Sequence, residues 1–284
     1  MKVNEIITDL IIKKLESGNI PWIKPWNNCG EPKNIITGKE YRGINNLLLS
    51  FNGYSNPFYL TINQAKQLKI RIKYDEMKNG HLIVFWKTNK VKDKNNEDIE
   101  KQIPMLRYYK VWNLCQCESF PEKYNVGKID LNEFNPIESC ENIISGYKDK
   151  PEIISDNRAF YSPGKDLIGI PDKSLFKSIE DYYSTLFHEM VHSSGSVKRL
   201  NRKSLVTSVK FGSEIYSKEE LVAEIGNCFI CGYAGIMNNT INNSTAYISS
   251  WIKVLKSDSN IVISSASYAQ KAFDYIIGNT DDEN

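Results

Sequence analysis

Two of the chain's three histidines stand four residues apart, in Leu186-Phe187-His188-Glu189-Met190-Val191-His192. This is the HExxH arrangement of a zinc hydrolase. On a helix, residues i and i+4 share a face, so the two imidazoles converge on one ion while Glu189, one step round, reaches the water bound to it. Chance is a poor explanation: with three histidines and twenty glutamates in 284 residues, the pattern would arise in on the order of one such chain in several hundred.

A catalytic zinc takes three protein ligands and keeps a fourth position open, so another ligand is expected on a nearby element. The best source is Ser217-Lys218-Glu219-Glu220-Leu221-Val222-Ala223-Glu224. Leu221, Val222, Ile225, Cys228 and Phe229 give this segment the apolar stripe of a second helix packed on the first. Glu220 and Glu224 then lie one turn apart, which suits a ligand carboxylate and an outer partner that fixes a histidine tautomer. Glu220 leads as the third ligand, with Glu224 as outer partner or alternative ligand and Glu219 as the remaining choice. Ser217 and Glu220 also read as a capping box, which starts a helix without any metal.

The elements that must hold these residues follow from periodicity. Ile179, Tyr182, Tyr183, Leu186, Phe187, Met190 and Val191 keep helical spacing, with Ser178 and Asp181 as a capping pair and Gly195 as a stop. Residues 159–170 are strand-like around Pro163-Gly164 and offer an edge on which an extended peptide docks, with Tyr161 as an oxyanion donor. Upstream, residues 3–15 form an amphipathic helix, and Thr61 caps a helix over 62–68. Two strand-like runs, 82–86 and 105–112, are broken by a charged, Asn-rich segment over 91–101 that reads as an exposed hairpin loop. Pro121 to Pro136 reads as a linker, with the cut between 125 and 135, giving domains 1–128 and 129–284.

Composition narrows the class. No apolar run approaches the length of a membrane span, and the acidic residues of the first helix do not suit a signal peptide, so a soluble, cytoplasmic protein is expected. Six unevenly spaced cysteines do not form a secreted disulfide framework, and Cys228-x-x-Cys231, on an apolar stripe, reads as buried thiols. The net charge of +2 hides an asymmetry: residues 1–120 hold nineteen Lys and Arg against twelve Asp and Glu, the remainder seventeen against twenty-two. The basic half also carries every tryptophan but Trp251. Aromatic faces interleaved with cations suit single-stranded nucleic acid, because every base offers a π-face and every nucleotide a phosphate. Trp22, Trp26, Tyr41 and Trp86 are the candidate stacking residues, with Arg42, Lys87 and Arg107 beside them. Aromatics in strand-like runs are also common core residues.

Together these residues resemble the ArdC-like antirestriction family of bacterial mobile elements. The N-terminal phrases are Ile20-Pro21-Trp22 with Pro25-Trp26, Tyr41-Arg42-Gly43-Ile44-Asn45, Asn56-Pro57 through Gln64-Ala65, Ile83-Val84-Phe85-Trp86-Lys87 and Tyr108-Tyr109-Lys110-Val111-Trp112-Asn113. The C-terminal phrases are Phe160-Tyr161 to Pro171, Phe187-His188-Glu189 to His192, Arg199-Leu200-Asn201-Arg202 and Phe211-Gly212-Ser213-Glu214 to Glu224. The resemblance implies an α+β chain of two domains, an N-terminal α/β single-stranded DNA-binding domain and a C-terminal zincin-like metallopeptidase domain of gluzincin-like pattern binding Zn2+. It implies a protein that coats single-stranded DNA entering a new host and blunts restriction, with a protein substrate if the zinc site is active. A DNA-protection protein with a structural or vestigial zinc is the alternative. The chain departs from the family pattern at Lys73-Tyr74-Asp75-Glu76-Met77-Lys78-Asn79-Gly80, where an acidic pair replaces a basic turn.

Overall fold

The computed structural model describes residues 2–18, 20, 22, 30–93, 96–125, 136–206, 214–236 and 245–279. Trp26, Cys29 and the expected domain boundary near 128 lie outside them. The chain opens with α1 (Val3–Glu16), whose Ile7, Ile11 and Leu15 are buried at helical spacing while Glu5 accepts the Lys2 backbone N–H at its start. Next come β1 (Lys33–Asn34), α2 (Ile44–Ser50), β2 (Phe58–Leu60) and α3 (Ile62–Gln67). Thr61 caps α3 through its side chain, which accepts from the Gln64 N–H. The hairpin strands β3 (His81–Asp93) and β4 (Asn96–Asn113) complete a four-stranded sheet in the order β1-β2-β4-β3. Asn45 fastens the hairpin root to α2, donating to the Val84 carbonyl and accepting its N–H at 2.8 and 2.7 Å.

The second half begins with α4 (Pro136–Gly146) and a three-stranded sheet of β5 (Glu152–Ser155), β6 (Phe160–Ser162) and β7 (Leu167–Ile170). Its order is β5-β7-β6, so β6 is an edge strand, antiparallel to β7. The helices α5 (Ile179–Ser194), α6 (Lys203–Val206), α7 (Glu214–Ala234), α8 (Thr245–Ser257) and α9 (Ile261–Ile277) follow. Ser178 caps α5 by accepting the Asp181 N–H. The chain is α+β, and no helix among the described residues is long and apolar enough to cross a membrane.

Three features differ from the sequence-based expectations. First, the halves share one hydrophobic core, in which Ile7, Ile11, Leu15, Trp22, Leu47 and Val84 join Phe187, Met190, Ile225 and Trp251. α1 is docked on the C-terminal half, where Thr8 donates to the Ser259 carbonyl at 2.8 Å. Secondly, residues 91–93 and 96–101 are strand and not loop: the strands run on to Asp93 and start again at Asn96, pairing Lys92 with Glu100 and, past a register shift, Asp93 with Asn96. Cross-strand hydrogen bonding overrides the weak strand propensity of Lys and Asn there. Thirdly, α7 starts at Glu214, before Ser217. Ser217 is therefore inside the helix, its hydroxyl 3.3 Å from that of Ser250, and Glu220 has no capping duty.

Candidate metal centre and nucleic-acid surface

α5 and α7 cross at close range, and a glycine allows it. A Cβ on Gly226 would lie 2.9 Å from Val191 Cγ1, tighter than ordinary packing. This brings Glu220 against both histidines: its two carboxylate oxygens stand 3.5 Å from His188 Nε2 and 3.5 Å from His192 Nε2, and the two Nε2 atoms are 3.1 Å apart. His188, His192 and Glu220 thus form a donor group of the size that holds a metal ion. Ligands bonded to one tetrahedral ion at 2.0–2.1 Å would be about 3.4 Å apart.

The far sides of the imidazoles are also occupied. His188 Nδ1 lies 3.6 Å from Glu224 Oε1, and His192 Nδ1 lies 3.5 Å from Glu219 Oε1. A neutral imidazole has one N–H, and a carboxylate facing Nδ1 favours the proton on that side. Both Nε2 lone pairs and a carboxylate then point at one spot, an arrangement that repels itself without a cation between them. Both Nδ1 atoms and Glu224 Oε2 are buried without a hydrogen bond, so the donors fit a divalent ion better than they satisfy one another. Two imidazoles and a carboxylate suit zinc, iron or manganese alike.

The electrostatics without an ion follow from this crowding. Burial alone would lower both histidine pKa values, but the carboxylates of Glu220 and Glu224 raise His188, and Glu220 and Glu219 raise His192 well above its usual value. Burial opposes ionisation of Glu220, yet the two histidines hold its carboxyl far below the ordinary range. Glu224, with burial dominant, is pushed up to about 7. Glu189, next to His188, is buried on the same helix.

Sequence reasoning missed the clamp behind Glu219, the weakest of the three ligand candidates. Arg202 is 3% exposed; its Nη2 donates to Glu219 Oε1 at 2.6 Å and to the Val191 carbonyl at 2.7 Å, and its Nη1 to Ser194 Oγ at 2.8 Å. Ser204 donates to the other Glu219 oxygen at 2.5 Å. A Cβ on Gly195 would fall 2.7 Å from the guanidinium, so the helix stop also makes room for it. Glu219 is driven down to about 2, since His192 and Arg202 outweigh its burial. Tyr161, expected as an oxyanion donor, instead donates to Asp166 Oδ1 at 2.8 Å and accepts from Arg199 at 3.3 Å. Its proton is committed to a network that pins the α5 exit, where Arg199 Nε donates to the Ser193 carbonyl at 2.8 Å. Cys228 and Cys231 are buried thiols outside any disulfide.

The nucleic-acid candidates divide. Trp22 is fully buried, edge-on to Trp251 at 5.0 Å between ring centroids, so it is a core residue with no face for a base. Tyr41 is half-buried, edge-on to Tyr59 and hydrogen-bonded by Asn34, and does not form an open platform. Arg42 is paired with Asp274 of α9, joining the two halves. Trp86, Lys87 and Arg107 do lie exposed on the hairpin. The register sets Phe85 opposite Arg107 and Lys87 opposite Met105, on the face that also carries Tyr109, while Trp86 and Tyr108 project from the other. Of the acidic pair near the turn, Glu76 accepts from Gln116 Nε2 at 2.7 Å and supports the hairpin root.

Comparison with known proteins matches a family model to each half of the chain. Residues 1–112 match the N-terminal domain of anti-restriction factor ArdC, and residues 138–268 match a zincin-like metallopeptidase domain, which points to a divalent metal. The metal-free crystal structure of antirestriction ArdC protein from R388 plasmid superposes with a TM-score of 0.81 at 32% identity, covering 99% of this chain and all (100%) of that one. The Mn(II)-bound structure of that protein gives 0.78 at 30% identity over 100% of both chains. The uncharacterized protein y4eC of Sinorhizobium fredii is 30% identical over 96% of this chain and 91% of its own length. DNA primase TraC of Escherichia coli is 30% identical over 96% of this chain, which spans only 20% of one such primase and 27% of another. The chain belongs to the ArdC antirestriction family, with an ArdC N-terminal domain followed by a zincin-like metallopeptidase domain.

Proposed function

We propose that this protein binds single-stranded DNA without sequence preference through its N-terminal half, and that His188, His192 and Glu220 hold a zinc ion with Glu189 as general base for peptide hydrolysis. The observation that carries the hydrolytic reading is the triangle of Nε2, Nε2 and carboxylate with Glu189 one residue away on the same buried helix. When bound there, zinc supplies Lewis acidity and makes a coordinated water acidic near neutral pH. The chain does the rest. Glu189 accepts a proton and returns it to the leaving amine. Glu224 and Glu219 hold the rings in the tautomer that turns each Nε2 inward, and Arg202 holds Glu219. Among the described residues no strand pairs with the outer edge of β6, which would take an extended protein segment as an added strand. The DNA reading is supported by the exposed aromatics and cations of the hairpin and by the likeness to a primase. We place this activity in the bacterial cytoplasm, where entering single strands meet restriction.

A second reading, that the metal is structural, is favoured by the low exposure of the donors: the side chains of His188 and Glu220 are each 14% accessible. One experiment separates the two. Glu189→Gln in the full chain should retain one zinc per protein and lose hydrolysis of a denatured protein substrate. If Glu189→Gln cleaves or protects as the unaltered protein does while His188→Ala unfolds, the metal is structural. Metal analysis after growth with zinc and manganese both supplied decides the ion.

A further inference from the structure

We propose that the cleft between the hairpin root and α9 is a subsite for nucleotides of a single DNA strand, so that both halves of the chain grip the strand; this rests on the DNA-binding reading above. The cleft encloses about 860 Å³, inside the range of about 300–1,000 Å³ typical of ligand clefts. Its lining draws on both halves of the chain: Trp86 and the 42–45 segment from the first, and Lys148, Lys271 and Tyr275 from the second. The floor is already spent on holding the halves together: the Gly43 N–H donates to Gln270 Oε1 at 2.8 Å, and Arg42 pairs with Asp274. What remains available has the chemistry of nucleotide recognition. The Trp86 indole is 64% exposed and has no stacked aromatic partner among the described residues. Lys148 and Lys271 are exposed, and neither has a carboxylate within ion-pair distance among the described residues. The remaining acid, Asp149, faces the Tyr275 hydroxyl.

A π-face beside two uncommitted ammonium groups suits a base and its phosphates. A duplex does not fit, because its bases are already stacked on each other and cannot enter a cleft. The pleat makes the subsite separable from the rest of the hairpin. Trp86 projects from the face opposite Phe85 and Arg107, so substitutions on the two faces report on different parts of the path.

The test is anisotropy of a fluorescent oligo(dT) titrated with the full chain. Trp86→Ala should weaken binding by about 5- to 100-fold. The double substitution Lys148→Ala/Lys271→Ala should weaken it and make the log–log salt slope shallower by about 1.4, at roughly 0.7 for each phosphate no longer neutralised. All three side chains are exposed, and unchanged melting temperatures would show that the fold is intact. Unaltered affinity and slope in these variants, with weaker binding by Arg107→Glu, would overturn the cleft subsite and leave hairpin binding standing. No binding of oligo(dT) by the unaltered protein would overturn both. Competition by thymidine monophosphate at the same nucleotide concentration as the oligomer would overturn the strand assignment, since the cleft would then be a free-nucleotide site.

Discussion

In the α5–α7 pair each imidazole has a carboxylate at its back, and one of those carboxylates has an arginine behind it. Along the β3–β4 hairpin, Phe85, Trp86, Met105, Tyr108 and Tyr109 are between 39% and 64% exposed, with open space on at least one side. The contrast matches what each proposed chemistry tolerates. A metal site works only when three donor atoms are held to within about half an ångström, so its side chains are buried and supported from behind. Stacking on a base tolerates sliding and tilt, so an exposed ring on a two-stranded arm suffices. Substitutions in the first region should therefore cost metal and stability together, whereas those in the second should cost binding alone.

The largest expected effect is His188→Ala or His192→Ala, each lowering metal content from one ion per chain to near zero by elemental analysis. Full retention by either variant would remove the assigned site. Next is Arg202→Ala, which leaves Glu219 buried without its cation and should cost about 3–5 kcal/mol in a denaturant titration. A cost near that of a surface substitution would show that Glu219 relaxes and the clamp is not needed. Smaller again, Glu219→Ala and Glu224→Ala should each weaken metal affinity by about 10–100-fold, and both less than Glu220→Ala. A greater loss from either than from Glu220→Ala would exchange the inner and outer roles.

The network at the α5 exit gives a pH test. Burial raises the Asp166 carboxyl, but Arg199, Tyr161 and Lys198 more than offset this and hold it at about 2, against an ordinary 3.8. A depressed carboxyl stabilises the fold above its unfolded value, and that contribution is lost as the pH falls from about 4 toward 2. Asp166→Asn should thus lower stability by roughly 2 kcal/mol at neutral pH and flatten the acid limb of the stability curve. An unchanged acid limb would mean that Arg199 finds another partner. The smallest effect on stability, within about 0.5 kcal/mol, is expected for Lys87→Ala and Arg107→Ala. A large loss of stability from either would end the comparison, because the hairpin would then be a structural element.

Period and cap make α5 legible: its apolar spacing, Ser178 and Gly195 all lie within one segment, and the histidine spacing rides on it. Glu220 is legible for the same reason, as one of three carboxylates on a single amphipathic stretch. The Arg202–Glu219 pair is not, because charged side chains are ordinarily solvated and only the turn between α5 and α6 folds this one under the helix. Trp22 and Trp86 show the limit most plainly. Both follow apolar residues and have a lysine within two positions after them, yet one is in the core and the other is exposed. The residue that decides it is Trp251, far along the chain. The hairpin is longer than its sequence suggests because Lys and Asn carry little strand signal, while its hydrogen bonds depend on a partner strand.

The seat of α1 on the far half sets a timetable for synthesis. Thr8 waits for the carbonyl of Ser259, a separation of 251 residues, and at about 5–20 residues per second the ribosome needs roughly 10–50 s to supply it. Through that interval the apolar face of Ile7, Ile11 and Leu15 lacks the part of its native cover that α8 supplies. The packing of the N-terminal half is thus completed late, and the shared core closes only when α8 and α9 have been made.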